Sequence, residues 1–229
     1  MWIESRCWDF RRPCAPSVSL GHFMSKPLVF FDVDTQVDFM LPTGNLYVPG
    51  AEQIVPNLQR LMDGARKTRL PVISTADAHA LDDPEFKMWP PHCVVGTPGQ
   101  RRIPQTRFPA PVVIPRHPGA FRPTGRWAGQ FILEKTTYSP QDNSNFDAVL
   151  HALGSRRAVV FGVATEFCVL ATALALRQHN FKVDVVVDAI KAITAEGGRT
   201  ALEDMAAAGV GTVTTAAICS AFVPLIDRC

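Results

Sequence analysis

Short apolar runs recur along the chain, separated by segments of helical periodicity, and this alternation restricts what the chain can fold into more than any other feature. The runs fall at Leu28–Val33, Pro71–Thr75, Phe131–Glu134, Ala158–Val163, Val183–Val187 and Gly211–Thr214. Continuous apolar runs of this length fit strands of a parallel sheet covered on both faces. Between them lie helical patterns at Ala51–Lys67, Asn145–Leu153, Glu166–Gln178 and Arg199–Ala208. The first carries Ile54, Leu58, Leu61 and Met62 on one stripe, and the last is closed by Gly209. Strand and helix in alternation predict a doubly wound α/β fold, an open and mostly parallel sheet with helices on both faces. A chain of 229 residues suffices for one such domain.

Composition narrows the partners. The net charge of +2 comes from interspersed charges without a basic run, so a phosphate backbone has nothing to track and nucleic acid is not an expected partner. The stretch Ala158–Leu176 is apolar, but Glu166 near its centre makes it a buried strand running into a buried helix and not a membrane span. The six cysteines show no paired spacing, which fits a reduced, cytoplasmic protein better than a disulfide framework. Residues 1–25 lack the apolar core of a secretory signal and read as a disordered tail or an overextended start, leaving 26–229 as the folded domain. A homo-oligomer is compatible with the sequence, which sets no copy number.

In an open parallel sheet, ligands bind outside the carboxyl ends of the strands. Polar residues follow four of the runs: Asp34 the first, Asp77 and His79 the second, Lys135 the third, and Cys168 a short turn beyond the fourth. Each has a plain structural reading alone. A lone cysteine is usually a small buried hydrophobe, an aspartate after a strand a turn residue, a lysine there a solvated strand end. Together they place an acid, a base and a thiol on one edge. Cys168 falls in the first turn of a helical pattern, where unpaired amides favour a thiolate. A neighbouring ammonium would lower the thiol pKa further, and a carboxylate in reach would take its proton. The long, proline-rich connection from Asp77 to Gln130 is expected to wall this edge.

Three motifs in this order resemble the nicotinamidase/isochorismatase-like cysteine hydrolases, over about residues 28–217: VDTQVDF at Val33–Phe39, Lys135 in ILEKTTYS, and GVATEFCV at Gly162–Val169. The resemblance implies a triad of Asp34, Lys135 and Cys168 and a cis peptide between Val163 and Ala164. It also implies an oxyanion hole formed by the amides of Ala164 and Cys168. DAH at Asp77–His79, Glu85 in DDPEF and His92 in WPPH are similar to the ligand set of the metal-binding branch. Two imidazoles with one or two carboxylates suit a divalent ion such as Zn, Mn or Fe, although an exposed polar loop explains the same residues, and Asp82 and Asp83 compete with Glu85. Phe39 and Trp89 match positions that hold a flat pyridine ring. The implied activity is hydrolysis of a small amide through a cysteine thioester, nicotinamide to nicotinate and ammonia in the first instance. The alternatives are a ureido or carbamoyl amidase, an isochorismatase, and a non-catalytic binding relative. Two departures stand out. Asp32 sits where relatives are apolar, two residues before Asp34 and able to compete as base, and Phe167 sits where many pyridine-specific relatives have His.

Overall fold

The computed structural model describes residues 28–117, 121 and 127–226. The tail expected at residues 1–25 lies outside them, as do Cys7, Cys14 and Cys229. Seven strands form one sheet: β1 (Leu28–Val33), β2 (Pro71–Asp77), β3 (Val112–Ile114), β4 (Gly129–Lys135), β5 (Arg157–Val163), β6 (Lys182–Lys191) and β7 (Gly211–Val213). Their spatial order is β3-β4-β2-β1-β5-β6-β7, and every pairing is parallel. The chain therefore builds outward from β1 in both directions, and the direction reverses beside β1. That is where an open α/β sheet offers a crevice.

Helices α2 (Val55–Thr68) and α6 (Thr215–Ile226) pack together on one face of the sheet. The opposite face carries α3 (Phe146–Leu153), α4 (Leu170–Gln178) and α5 (Ala195–Ala207). Successive residues of β1 divide between these layers as strand geometry requires. Val29, Phe31 and Val33 join the core under α3–α5, and Leu28 and Phe30 join that under α2 and α6. A short α1 (Val37–Met40) follows β1 directly. No described helix is long and apolar enough to cross a membrane.

Several boundaries differ from the sequence reading. Strand β6 runs on to Lys191 through a register shift opposite Val160 and Gly162, because its half-exposed end does not show an unbroken apolar run. Helix α5 starts four residues before the expected Arg199, where the Thr194 hydroxyl accepts from the Gly197 amide and caps it. The pattern at Glu166–Gln178 is split: a π turn at Thr165–Val169 precedes α4. Cys168 therefore belongs to this turn and not to the first turn of an α-helix. The connection after β2 also contains β3, whose Val112 and Val113 are exposed at the sheet edge and lack a strand-like pattern of burial.

Phe30 shows how tightly the α2–α6 layer is filled. It is fully buried, meets Phe161 edge-on at 5.5 Å between ring centroids and Phe222 at 5.9 Å. Phe30→Ala leaves a ring-sized void and is expected to cost about 3–5 kcal/mol. For a domain of this size that lowers Tm by on the order of 10 °C. Thermal unfolding followed by circular dichroism checks this.

Candidate active site

The carboxyl ends of β1, β2, β4 and β5 bring Asp34, Asp77, Lys135 and Cys168 together. Lys135 lies on the same side of β4 as Phe131 and Leu133, and it pairs in register with Asp77 of β2. Its ammonium is fully buried, 2.8 Å from Asp34 Oδ2, in contact with Asp77 Oδ1 and 3.6 Å from Cys168 Sγ. The Thr75 hydroxyl donates to Asp34 Oδ1 at 2.7 Å. The other oxygen, Oδ2, is the one that pairs with the Lys135 ammonium.

Asp32 and Asp34 are not equivalent. Continuing strand alternation would put both on one face, but Asp34 has a left-handed backbone, φ 48°, which aspartate tolerates better than most residues. This rotates its carboxylate toward Lys135, whereas Asp32 stays on the opposite face, ion-paired with Arg102 and hydrogen-bonded by Thr35 and Ser74. The competition between them ends there: Asp32 does not reach the thiol's ammonium neighbour.

The charges are distributed unevenly. Burial works against ionisation of Asp77, yet the Lys135 ammonium and the neighbouring imidazoles hold it well below the ordinary carboxylate range. Burial raises Asp34, with Lys135 opposing and Asp77 adding to the rise. Burial also lifts the Cys168 thiol well above its usual range; Lys135 pulls it down, but Asp34 and Asp77 push it up. Burial is the largest of these influences, and the one ammonium opposes both it and the two carboxylates. Lys135 acts on the thiol in the expected direction, toward the thiolate, against the effect of burial.

The turn that carries Cys168 is locally specified. Gly162 has φ 122°, and a Cβ there would lie 2.0 Å from the Val33 carbonyl oxygen, so β5 can pass β1 here only as glycine. The Val163–Ala164 peptide is cis. The amides of Phe167 and Val169 both donate to the Ala164 carbonyl at 3.1 Å. Glu166 reaches outward and accepts from the amides of Ile193 and Thr194, tying the turn to the β6–α5 connection.

Beside the thiol, ligand atoms of Asp77, His79 and His92 all lie within 4.8 Å of one another. His92 Nδ1 donates to the Pro90 carbonyl at 2.8 Å, which turns Nε2 toward Asp77. His79 Nε2 has no hydrogen-bond partner although it is fully buried. Both Nε2 atoms approach Asp77 Oδ2, at 3.6 and 3.7 Å. Two buried imidazoles converging on a carboxylate are a donor set that fits a divalent cation. Glu85 lies 3.9 Å from His79 Nε2, on the ligand side, whereas Asp83 faces the other nitrogen, Nδ1, at 3.0 Å. Asp83 is thereby placed to orient His79, and Glu85 to complete the set.

A narrow pocket opens beside these groups, lined by Cys168, Asp77, Glu85 and His92 together with Phe39, Trp89, Tyr138 and Phe167. Phe39 stacks at a tilt on His92, and Trp89 meets Phe167 edge-on. Sequence reasoning passed over Tyr138, whose hydroxyl accepts from Trp89 Nε1 at 2.9 Å; it stands three residues after Lys135 in the quoted ILEKTTYS. It also missed Gln36 and Asp38 as supports. Gln36 brackets the Asp77 backbone, donating to its carbonyl and accepting from its amide at 2.9 and 2.8 Å. Asp38 accepts from the Asn45 and Cys93 amides, and so fixes the segment bearing His92.

Fold and cluster together define a buried thiol, ammonium and carboxylate centre at the carboxyl edge of an open parallel α/β sheet. The family model described as the isochorismatase domain matches residues 28–217, and the chain belongs to that family. It is 27% identical over 204 residues to a nicotinamidase of Acinetobacter baylyi, covering 80% of this chain and 90% of that protein. It is 29% identical over 188 residues to the nicotinamidase/pyrazinamidase of Mycobacterium tuberculosis, covering 79% and 95%. The crystal structure of the Pyrococcus horikoshii pyrazinamidase in complex with zinc superposes with a TM-score of 0.69 at 29% identity, covering 82% of this chain and 98% of that one.

Cys168 lines the cavity, whereas Cys93 is fully enclosed and burial raises its thiol as well. Iodoacetamide is therefore expected to modify Cys168 at a rate that climbs with pH as the thiol ionises, and to leave Cys93 intact. Peptide mass spectrometry reads both sites; earlier modification of Cys93 would reverse the assignment.

Proposed function

We propose that this protein hydrolyses a small aromatic carboxamide through a cysteine thioester, with nicotinamide, cleaved to nicotinate and ammonia, as the substrate. The observation that carries this reading is the opening of Cys168, backed by Lys135 and Asp34, onto the same cavity as Asp77, His92 and an aromatic wall. The relatives named as nicotinamidases and pyrazinamidases support it.

Attack requires the thiol proton to leave, and Asp34 is the acceptor: raised by burial and paired with the Lys135 ammonium. The Lys135 ammonium balances the charge that Asp34 and Cys168 exchange. Sulfur bonds to the carboxamide carbon while the proton moves to Asp34. The amides of Ala164 and Cys168 are assigned to the oxyanion, a type of donor whose loss costs about a hundredfold or more. The carbon–nitrogen bond then breaks, and the nitrogen takes the proton from Asp34 and leaves as ammonia. Water gives one proton to Asp34 and its hydroxyl to the thioester carbon; the carbon–sulfur bond breaks, sulfur takes the proton from Asp34, and the carboxylic acid leaves and loses its own proton to solvent.

Asp77, His79, His92 and Glu85 are the residues that would hold a divalent ion, Zn, Mn or Fe, which when bound supplies an electrophilic anchor for a ring nitrogen. Phe39 and Trp89 are assigned to the faces of that ring, with Phe167 as an apolar neighbour.

Ammonia release from nicotinamide is the direct test. Cys168→Ala and Asp34→Asn are each expected to lower kcat by about a thousandfold or more at unchanged Tm. Absence of turnover by wild type would end this reading.

Dialysis against a chelator is expected to remove about one ion per chain and to reduce nicotinamide turnover sharply, with recovery on adding Zn, Mn or Fe. Benzamide, which lacks the ring nitrogen, should be a poorer substrate and lose proportionately less. Full nicotinamide turnover by metal-free protein would favour a ureido or carbamoyl amidase that recognises its substrate by hydrogen bonds.

A further inference from the structure

We propose that Arg102, held in place by Asp32, is a positioning residue that sets the conformation of Asp34. This rests on the reading of Asp34 as the base.

The pair lies on the far side of β1 from the thiol and touches none of the reacting groups. Asp32 is fully buried, and its carboxylate contacts the Arg102 guanidinium while accepting from Thr35 at 3.0 Å and Ser74 at 3.1 Å. Arg102 in turn donates from Nη1 to the Thr75 carbonyl at 3.0 Å, and from Nη2 to the Thr35 hydroxyl. The Thr75 carbonyl is the acceptor for the Asp34 amide, at 3.3 Å, and the Thr75 hydroxyl is the donor to Asp34 Oδ1, at 2.7 Å. One residue, Thr75, is thus gripped from below by Arg102 and grips Asp34 at both backbone and side chain.

The same arginine also fixes the next residues of the loop. Arg102 bridges to Gln36, and the Ile103 amide donates to the Thr35 carbonyl at 3.0 Å. The segment Asp34–Gln36, with its left-handed first residue, is therefore enclosed between β2 and the strand-like stretch at Arg102. A left-handed non-glycine residue persists only where its surroundings over-determine it. Here those surroundings are Thr75 and Arg102. A buried ion pair is weak evidence for stability, since well-packed apolar residues of similar volume often serve as well. Its geometry here accounts for it better: a guanidinium spans Asp32, Thr35 and Thr75 at once, which the single point charge of lysine does not.

Two variants test this. Arg102→Lys keeps a cation for Asp32 but loses the span to Thr75; Asp32→Leu/Arg102→Met removes both charges together. Both are expected to melt close to wild type, with kcat toward nicotinamide lower by about tenfold to a hundredfold and KM within about twofold. A crystal structure of Arg102→Lys should show Asp34 departed from its left-handed conformation and its contact with Lys135 lengthened. Wild-type kcat in a folded variant, a rise in KM alone, or an unmoved Asp34 would each overturn the proposal. The crystallographic arm needs no substrate. Should wild type fail to hydrolyse nicotinamide, the amidase reading falls while the positioning role is still decided by where Asp34 lies. If the double variant does not fold, Arg102→Lys alone decides the matter.

Discussion

A single ammonium, that of Lys135, holds the centre of this molecule together. It is buried without access to water, and burying an uncompensated charge costs several kcal/mol; Asp34 and Asp77 supply the compensation from two other strands. The arrangement has a division of labour. Asp77 remains ionised because lysine and imidazoles surround it, and its second oxygen turns toward His79 and His92. Asp34 carries the raised affinity for a proton. The thiol side and the imidazole side are therefore not separate modules but share one carboxylate, Asp77, between them. A change of charge on either side is felt on the other within a few ångströms.

The supports of this centre come largely from the short segment after β1. Asp34 faces Lys135, Gln36 brackets the Asp77 backbone, Asp38 accepts from Cys93, and Phe39 lies against His92. One strand end thereby orders the ends of its neighbours. This is why the aspartates and the glutamine of VDTQVDF occur together: each satisfies a different buried backbone or charged group.

Much of the fold was legible because β1, β4 and β5 are largely buried strands with mostly apolar sequences, and because polar residues at their ends break that pattern visibly. Asp34, Asp77, His79, Lys135 and Cys168 all stand out in this way, and the structure brings them to one edge. Other features leave no periodic trace. The left-handed turn at Asp34 reverses the face that alternation assigns to it, so spacing alone left Asp32 as a rival. The upward push on the Cys168 thiol comes first from burial and then from two carboxylates on distant strands. Asp83 and Glu85 are indistinguishable as types, and only their approach to opposite nitrogens of His79 separates them. Strand β3 is exposed on an edge, and α6, though apolar, follows a strand of three residues that offers little context.

The connection between β2 and β4 is fastened unevenly. Its first part is stitched down at Cys93 by Asp38, at Gly99 and Arg101 by the α1 amides, and at Arg102 and Ile103 by the loop after β1. Backbone polar groups there are engaged at close intervals, so a residue inserted between His79 and Ile103 would have to break several of them and would shift one imidazole against the other. Between Arg107 and Val112 such ties are sparser and Ala110 already adopts a left-handed turn. Length variation in this protein's relatives is accordingly easiest to accommodate in that second stretch, where the chain can lengthen while the separation of the imidazoles stays unchanged.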